Sequence, residues 1–300
     1  MLNPQQIYQI SPLPIQNLLV SASGLVKVRQ RYGKIYREHR EWLNDFDTWS
    51  QDRAETYQNE QLRSFVKYAV QHSEFYRGFY STVDVETIKS VSDLRLLPVL
   101  EKETLRGSME QIYTVSASKS TEGHTGGTTG KSLVVRYTHS DEMRRMAMLD
   151  HFKSRFGFEN LKMRKATFSG KHLTGGSKFS RVFWRYNAPS KQMLYSTFDI
   201  SEPNLKYYVE SLNSFKPQAN YVERNENRLK FRPIAIFPTS ETVTPDGRAL
   251  LERVFGCKVL DQYASSEGAP FVTECMEGNR HVELSTGVFE NFGSTDEILV

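Results

Sequence analysis

Residues 234–263 read IAIFPTSETVTPDGRALLERVFGCKVLDQY, and the order of signals within them is that of a β-α-β unit. Ile234–Phe237 is a short apolar run. Thr244 then stands as an N-cap before Pro245, the favoured first helical residue, and Ala249, Leu250, Val254 and Phe255 continue an apolar face until Gly256 closes the helix. Lys258–Tyr263 supplies the second strand. Parallel α/β sheets hold their ligands beyond the carboxyl ends of the strands. The polar stretches Thr239-Ser240-Glu241 and Ala264-Ser265-Ser266-Glu267-Gly268 are therefore expected at one edge.

Working outward, Leu62, Phe65, Val66, Ala69 and Val70 recur with the spacing of one helix face, and residues 1–120 read as a helical N-terminal region. After Thr121 the pattern changes to Gly-rich turns and the β-branched run Leu133–Tyr137. Ser140 is read as the cap of a helix opening with Asp141 and Glu142 and continuing through Met143, Met146, Leu149 and Phe152. The fold class expected is α/β: a helical layer, then an α/β nucleotide-binding region over residues 121–300 with a parallel or mixed sheet packed by helices.

Among 300 residues, 38% are hydrophobic and 25% charged, with 15 Tyr and 18 Phe, which is enough apolar material for a globular core. Lys and Arg number 39 against 35 Asp and Glu, with no concentrated basic block, so no nucleic-acid partner is expected. The small patch Lys162, Arg164 and Lys165 reads as a solvated face or part of a phosphate-friendly cleft. Two cysteines, Cys257 and Cys275, cannot make a disulfide framework and fit a reducing cytoplasm. Ile15–Val28, the most apolar early stretch, is interrupted by Gln16, Asn17, Ser21, Ser23 and Lys27, too polar to span a bilayer, and reads as a docking helix or surface segment.

The densest chemical signal is Thr125-Gly126-Gly127-Thr128-Thr129-Gly130-Lys131-Ser132, small residues that let backbone N–H groups and hydroxyls approach an anion. Its Gly-Lys-Ser ending is not a Walker A loop, because Thr125 stands where that motif needs glycine and a strand follows where it needs a helix. An ordinary Gly/Thr hairpin is the remaining alternative. The stretch resembles the phosphate loop of adenylate-forming enzymes, Ser-Ser-Gly-Thr-Thr-Gly-Lys-Pro, with Gly126 and Ser132 as departures. Phe75-Tyr76-Arg77, Leu97–Lys102, Phe183–Asn187 and the block Asp261–Gly268 resemble the CapK-type branch of the phenylacetate-CoA ligase-like family.

That resemblance implies roles for individual residues. Thr125–Gly130 and Lys131 would hold the ATP phosphates, Glu267 would bind Mg²⁺, Tyr263 would stack on adenine and Ser266 would contact the α-phosphate. Ser240, Glu241 and Asp261 would line the adenine pocket. Lys131 and Glu267 are the expected catalytic residues, with ATP and Mg²⁺ as cofactors. Read without the resemblance, Tyr263 is a core aromatic and Glu267 a loop acid. Cys275 and His281 offer two zinc ligands, short of a site, and His124 is open to a phosphate contact or a structural role.

The implied reaction is AMP-forming activation of a small carboxylic acid to an acyl-adenylate, in surface-polysaccharide biosynthesis, with CoA or an amine or sugar as acceptor. Three departures favour an alternative, a catalytically incomplete nucleotide-binding relic or scaffold. Ala264 replaces the family's glycine, and only Gln218–Phe231 separate Lys216-Pro217 from Arg232-Pro233, where the family carries a longer stretch. The third is the end of the chain in the apolar run Ile298–Val300. The ribose-binding Asp and the C-terminal subdomain with its Lys are expected to be absent from these 300 residues.

Overall fold

The computed structural model describes residues 3–124, 132–170, 173, 181–218, 229–239, 243–265, 268, 270–288, 290–291 and 298–299. The chain divides into two compact units, each assembled from separated stretches. The first comprises Met1–Tyr36, Met146–Gln262 and Glu274–Gly278; the second comprises Arg37–Arg145, Tyr263–Thr273 and Asn279–Val300.

The N-terminal third is helical: α1 (Pro4–Ile10), α2 (Leu13–Arg31), α3 (Lys34–Phe46), α4 (Gln51–His72), α5 (Glu74–Phe79), α6 (Lys102–Gly107) and α7 (Met109–Ile112). In the second unit, α4 buries Leu62 and Val66 against Ile88, with Leu94 and Leu97 packed around them. Phe65, read as part of the same face, is 67% exposed. Trp42, Phe46, Trp49 and Tyr57 form an aromatic cluster with ring centroids 4.8–6.2 Å apart. The strands β1 (Thr121–His124) and β2 (Val134–Tyr137) pair antiparallel, and α8 (His139–Ser154) follows. The cap of α8 is Thr138 rather than Ser140. The Asp141 N–H donates to Thr138 Oγ1 at 3.2 Å, and the Thr138 N–H donates to Asp141 Oδ2 at 3.1 Å, a reciprocal box that needs an acid three residues on.

In the first unit β3 (Lys165–Ser169), β4 (Trp184–Asn187) and β5 (Gln192–Ser196) form a mixed sheet, with β5 central, parallel to β3 and antiparallel to β4. α9 (Leu205–Phe215) covers it. Ala166, Phe183, Tyr195, Tyr208 and Leu212 make this core. Phe168 stacks on Tyr195 at 4.7 Å and Phe183 on Tyr208 at 5.5 Å. Two tyrosines can lie at the centre because their hydroxyls are satisfied: Tyr195 Oη meets Ser211 Oγ at 2.9 Å, and Tyr208 Oη donates to the Ser196 carbonyl at 2.8 Å.

The same unit holds an unusual helix contact. The outward backbone groups of Tyr186 on edge strand β4 are taken by α2: the N–H donates to Asn17 Oδ1 at 3.0 Å, and the carbonyl accepts from Ser21 Oγ at 3.2 Å. Ser21 Oγ also accepts from the Ala188 N–H at 3.1 Å, and Arg185 Nε donates to Gln16 Oε1 at 2.6 Å. Two of the polar residues that interrupt the apolar stretch, Asn17 and Ser21, thus stand in for a neighbouring strand, and a third, Gln16, holds the Arg185 side chain. Gly24 permits the approach, since a Cβ there would fall 1.9 Å from Asn187 Oδ1.

The chain continues through β6 (Ala235–Ile236), α10 (Pro245–Phe255), β7 (Lys258–Val259), β8 (Gln262–Tyr263), β9 (Val272–Glu274), β10 (Arg280–Val282), β11 (Glu290–Asn291) and β12 (Ile298–Leu299). Strands β10, β9 and β8 are neighbours in that order, and β11 pairs antiparallel with β12. The architecture is the α/β class expected, with a helical N-terminal region and a mixed sheet.

Candidate functional site

The β-α-β unit forms as its caps dictate. Thr244 Oγ1 accepts from the Gly247 N–H at 3.2 Å at the start of α10, and Gly256 ends it in the left-handed region, φ +62°. β6 and β7 are parallel, with Ala235 opposite Lys258 and Ile236 opposite Val259. Ile236, Val254, Phe255 and Val259 bury the helix on the strands. Beside this cluster burial pushes the Cys257 thiol up to about 12, so it stays protonated at neutral pH. The parallel register places Pro238-Thr239 and Leu260-Asp261 at the same, carboxyl end.

The second strand is shorter than its apolar pattern predicts. Leu260 still donates to the Ile236 carbonyl at 2.9 Å, but the Asp261 N–H donates to Glu274 Oε2 at 2.7 Å, and a carboxylate has replaced the ladder partner. Glu274, 6% exposed, also accepts from Arg248 Nη2 at 2.8 Å, while Arg248 Nη1 donates to the Val259 carbonyl at 2.6 Å. Arg248 on α10 and Glu274 on β9 therefore clamp the chain where it leaves the strand. The Asp261 carboxylate is half-buried and accepts from the Gln262 N–H at 2.9 Å.

Past this clamp, in the second unit, Tyr263 is 51% exposed and is not a core residue. Arg145 Nη2 donates to the Ser265 carbonyl at 2.7 Å, and its guanidinium lies 5.5 Å from the Phe271 ring centroid. Gly268 adopts φ +98°, a conformation closed to most side chains. The stretch that follows the second strand is thus pinned at a carbonyl and turned by a glycine.

The same unit contains the hairpin carrying the Gly-rich run. His124 opposite Val134 is the last described pair of the β1–β2 ladder, so residues 125–133 connect two antiparallel strands, and the described chain after them enters β2 where a Walker A motif is followed by a helix. Tyr113 Oη donates to the Val134 carbonyl at 2.7 Å at the root of the loop. Arg136 lies 3.8 Å over the Tyr113 ring and pairs with Glu122 at 3.2 Å. Gly123 leaves room for Tyr137, whose Cε1 would be 2.9 Å from an added Cβ.

Of the expected site residues, Asp261 and Tyr263 lie within the described structure; Thr125, Gly126, Gly127, Thr128, Thr129, Gly130, Lys131, Ser240, Glu241, Ser266 and Glu267 lie outside the described residues. The supporting Arg145, Arg248 and Glu274 were not legible in the sequence, because isolated charges on a helix or strand look like solvated ones. Among the described residues no group of three His, Cys, Asp or Glu side chains is placed to hold a metal, and Cys275 and His281 remain two ligands.

No family model matches the sequence. Over 297 residues, 95% of the chain, it is 37% identical to Protein CapK of Staphylococcus aureus. The chain is a CapK homologue. It spans 65% of CapK's length. A shorter match, 31% identical over 110 residues, links this CapK homologue to phenylacetate-coenzyme A ligase of Escherichia coli (strain K12), covering 33% of the chain and 24% of that ligase. The fold of this chain is similar to about half of 2-hydroxyisobutyryl-CoA ligase. The ligase complexed with 2-HIB-AMP and CoA in the thioesterification state matches with a TM-score of 0.59 at 19% identity, over 78% of this chain and 54% of that one. The postadenylation-state complex with R3-HIB-AMP gives 0.57 at 18%, over 76% and 52%.

Proposed function

We propose that this CapK homologue provides the nucleotide-binding part of an AMP-forming ligase, which activates a small carboxylic acid with ATP to an acyl-adenylate and pyrophosphate. The observation that carries this reading is 37% identity to CapK over 95% of the chain on a fold shared with a ligase solved with acyl-AMP. CoA is the first acceptor to test, because 2-hydroxyisobutyryl-CoA ligase was solved with CoA bound; an amine or sugar acceptor and a role in surface-polysaccharide synthesis in the cytoplasm rest on the CapK relationship.

In this reading residues 121–300 carry the nucleotide contacts. Tyr263, half-exposed, would stack on adenine, and Ser240, Glu241 and Asp261 would line the adenine pocket. A strand-loop-strand setting suits Thr125–Gly130 for a phosphate cradle of backbone N–H groups, with Lys131 adding a charge and Ser266 a hydroxyl. Glu267 among small hydroxyl residues suits magnesium, which keeps most of its waters and takes one or two carboxylates. When bound, ATP supplies the adenylyl group and magnesium neutralises charge on its phosphates. The chain's own work is positioning: the loop and Lys131 would fix the phosphates, while the Arg248–Glu274 pair holds the backbone at Asp261 and Arg145 holds the Ser265 carbonyl, two residues along from Tyr263.

Pyrophosphate–ATP exchange across a panel of aryl, fatty and amino acids tests the proposal, with acid-dependent exchange expected. Nucleotide binding without exchange by any acid favours the second reading, an incomplete relic or scaffold. That reading has its own support in Ala264 and in the short stretch after α9, whose ends are tied by the Ile234 N–H donating to the Gln218 carbonyl at 2.7 Å.

A further inference from the structure

Helix α2 is mounted with its polar side inward. Gln16, Asn17, Ser21 and Gly24 face β4, whereas Ile15, Leu18, Leu19, Ala22, Leu25 and Val26, spaced i, i+3, i+4, i+7, i+10 and i+11, face outward. Leu18 is 67% and Val26 54% exposed. Helix α1 adds Ile7 and Ile10, the latter 72% exposed. A surface helix of a soluble domain normally does the reverse, and a contiguous exposed apolar stripe marks a surface that something covers. It is not a membrane span: among the described residues no helix is long and apolar enough to cross one.

The charge around the stripe selects the occupant. Residues 1–37 contain Lys27, Arg29, Arg31, Lys34 and Arg37 and no Asp or Glu, the first acid being Glu38. Lys27 and Arg29 are exposed at the C-terminal end of the stripe. A second copy of this face would bring cations to cations with no acid to pair them, which disfavours an isologous dimer. A long helix with an exposed apolar face and flanking cations matches the chemistry of an interfacial helix lying on an anionic bilayer. We infer that α1 and α2 form a peripheral docking surface for anionic lipid membranes, which brings the ligase to the bilayer without spanning it.

Flotation of the 300-residue chain with vesicles tests this directly. Phosphatidylcholine vesicles containing phosphatidylglycerol are expected to carry the protein at least about tenfold better than phosphatidylcholine alone, with the difference suppressed by salt. The double variant L18E/L25E changes two exposed side chains, so its circular-dichroism melt should match the parent's while flotation falls to background. K27E/R29E should lower binding to the anionic vesicles selectively. Equal binding to both vesicle types, or undiminished flotation of folded L18E/L25E, overturns the inference. So does a dimer in sedimentation velocity that L18E/L25E dissolves while the parent ignores vesicles, because the face then joins two copies.

Discussion

Glu274 shows how much a single side chain can fix. Its carboxylate holds both the Arg248 guanidinium and the Asp261 N–H, so Glu274→Ala removes the anion paired with the partly exposed Arg248, which keeps the Val259 carbonyl, and leaves the Asp261 N–H without its acceptor. We expect a loss of about 1–3 kcal/mol in urea denaturation, above a typical surface change. Lys131→Ala carries a functional expectation: a charge-assisted phosphate contact of about 1.5–3 kcal/mol should vanish, weakening ATP by roughly ten- to a hundredfold while hardly touching AMP. Calorimetry with both nucleotides decides it, since a uniform loss would mean a damaged loop. Glu267→Gln should similarly abolish the magnesium dependence of ATP binding in the same instrument; an unchanged dependence would remove Glu267 from the metal. Lys131 and Glu267 were open to proposal from the sequence, because hydroxyls, glycines and charges recur around them in an order that resembles a known family's. Arg145 and Glu274 were not, because what distinguishes them is a partner 120 or 13 residues away.

Among the elements, α10 was the most legible, since Thr244, Pro245 and Gly256 are local signals that act on the backbone beside them. Its companion strand was overread: Lys258–Tyr263 has a continuous β pattern, yet the reach of Glu274 divides it after Val259. Helix α2 exposes a deeper limit. Periodicity reveals which face is apolar but not which face is inside, and here hydrogen bonding to the edge of β4 decided the orientation. Two substitutions test that account. Asn17→Ala deprives the Tyr186 N–H of its acceptor and should cost about 1–3 kcal/mol. Gly24→Ala forces a methyl against Asn187 and should cost about as much, although alanine is the better helix former; a stabilised Gly24→Ala protein would refute the close approach.

At the scale of the molecule, opposing titrations shape stability. Lys165 donates to Asn160 Oδ1 at 2.5 Å inside a network with Asp150, Tyr32 and Tyr36, and desolvation lowers its ammonium from 10.5 to about 8. Between those values the unfolded chain holds a proton that the folded one lacks, so stability rises with pH. Burial raises Tyr80 to about 12 and pushes Tyr195 and Tyr208 higher, so above pH 10 the folded chain keeps protons that the unfolded one releases, and stability falls. The urea midpoint should therefore climb from pH 8, peak near pH 10 and drop, and Lys165→Met should remove the climb. The separated stretches of the first unit bear on synthesis too. The ribosome finishes α2 roughly 150 residues before it reaches β4, and at about 5–20 residues per second the helix waits on the order of ten seconds or more for its strand. Throughout that interval the nascent chain carries an oily, basic helix whose own strand has not yet been made, so the schedule of translation gives outside surfaces an early opportunity to hold it.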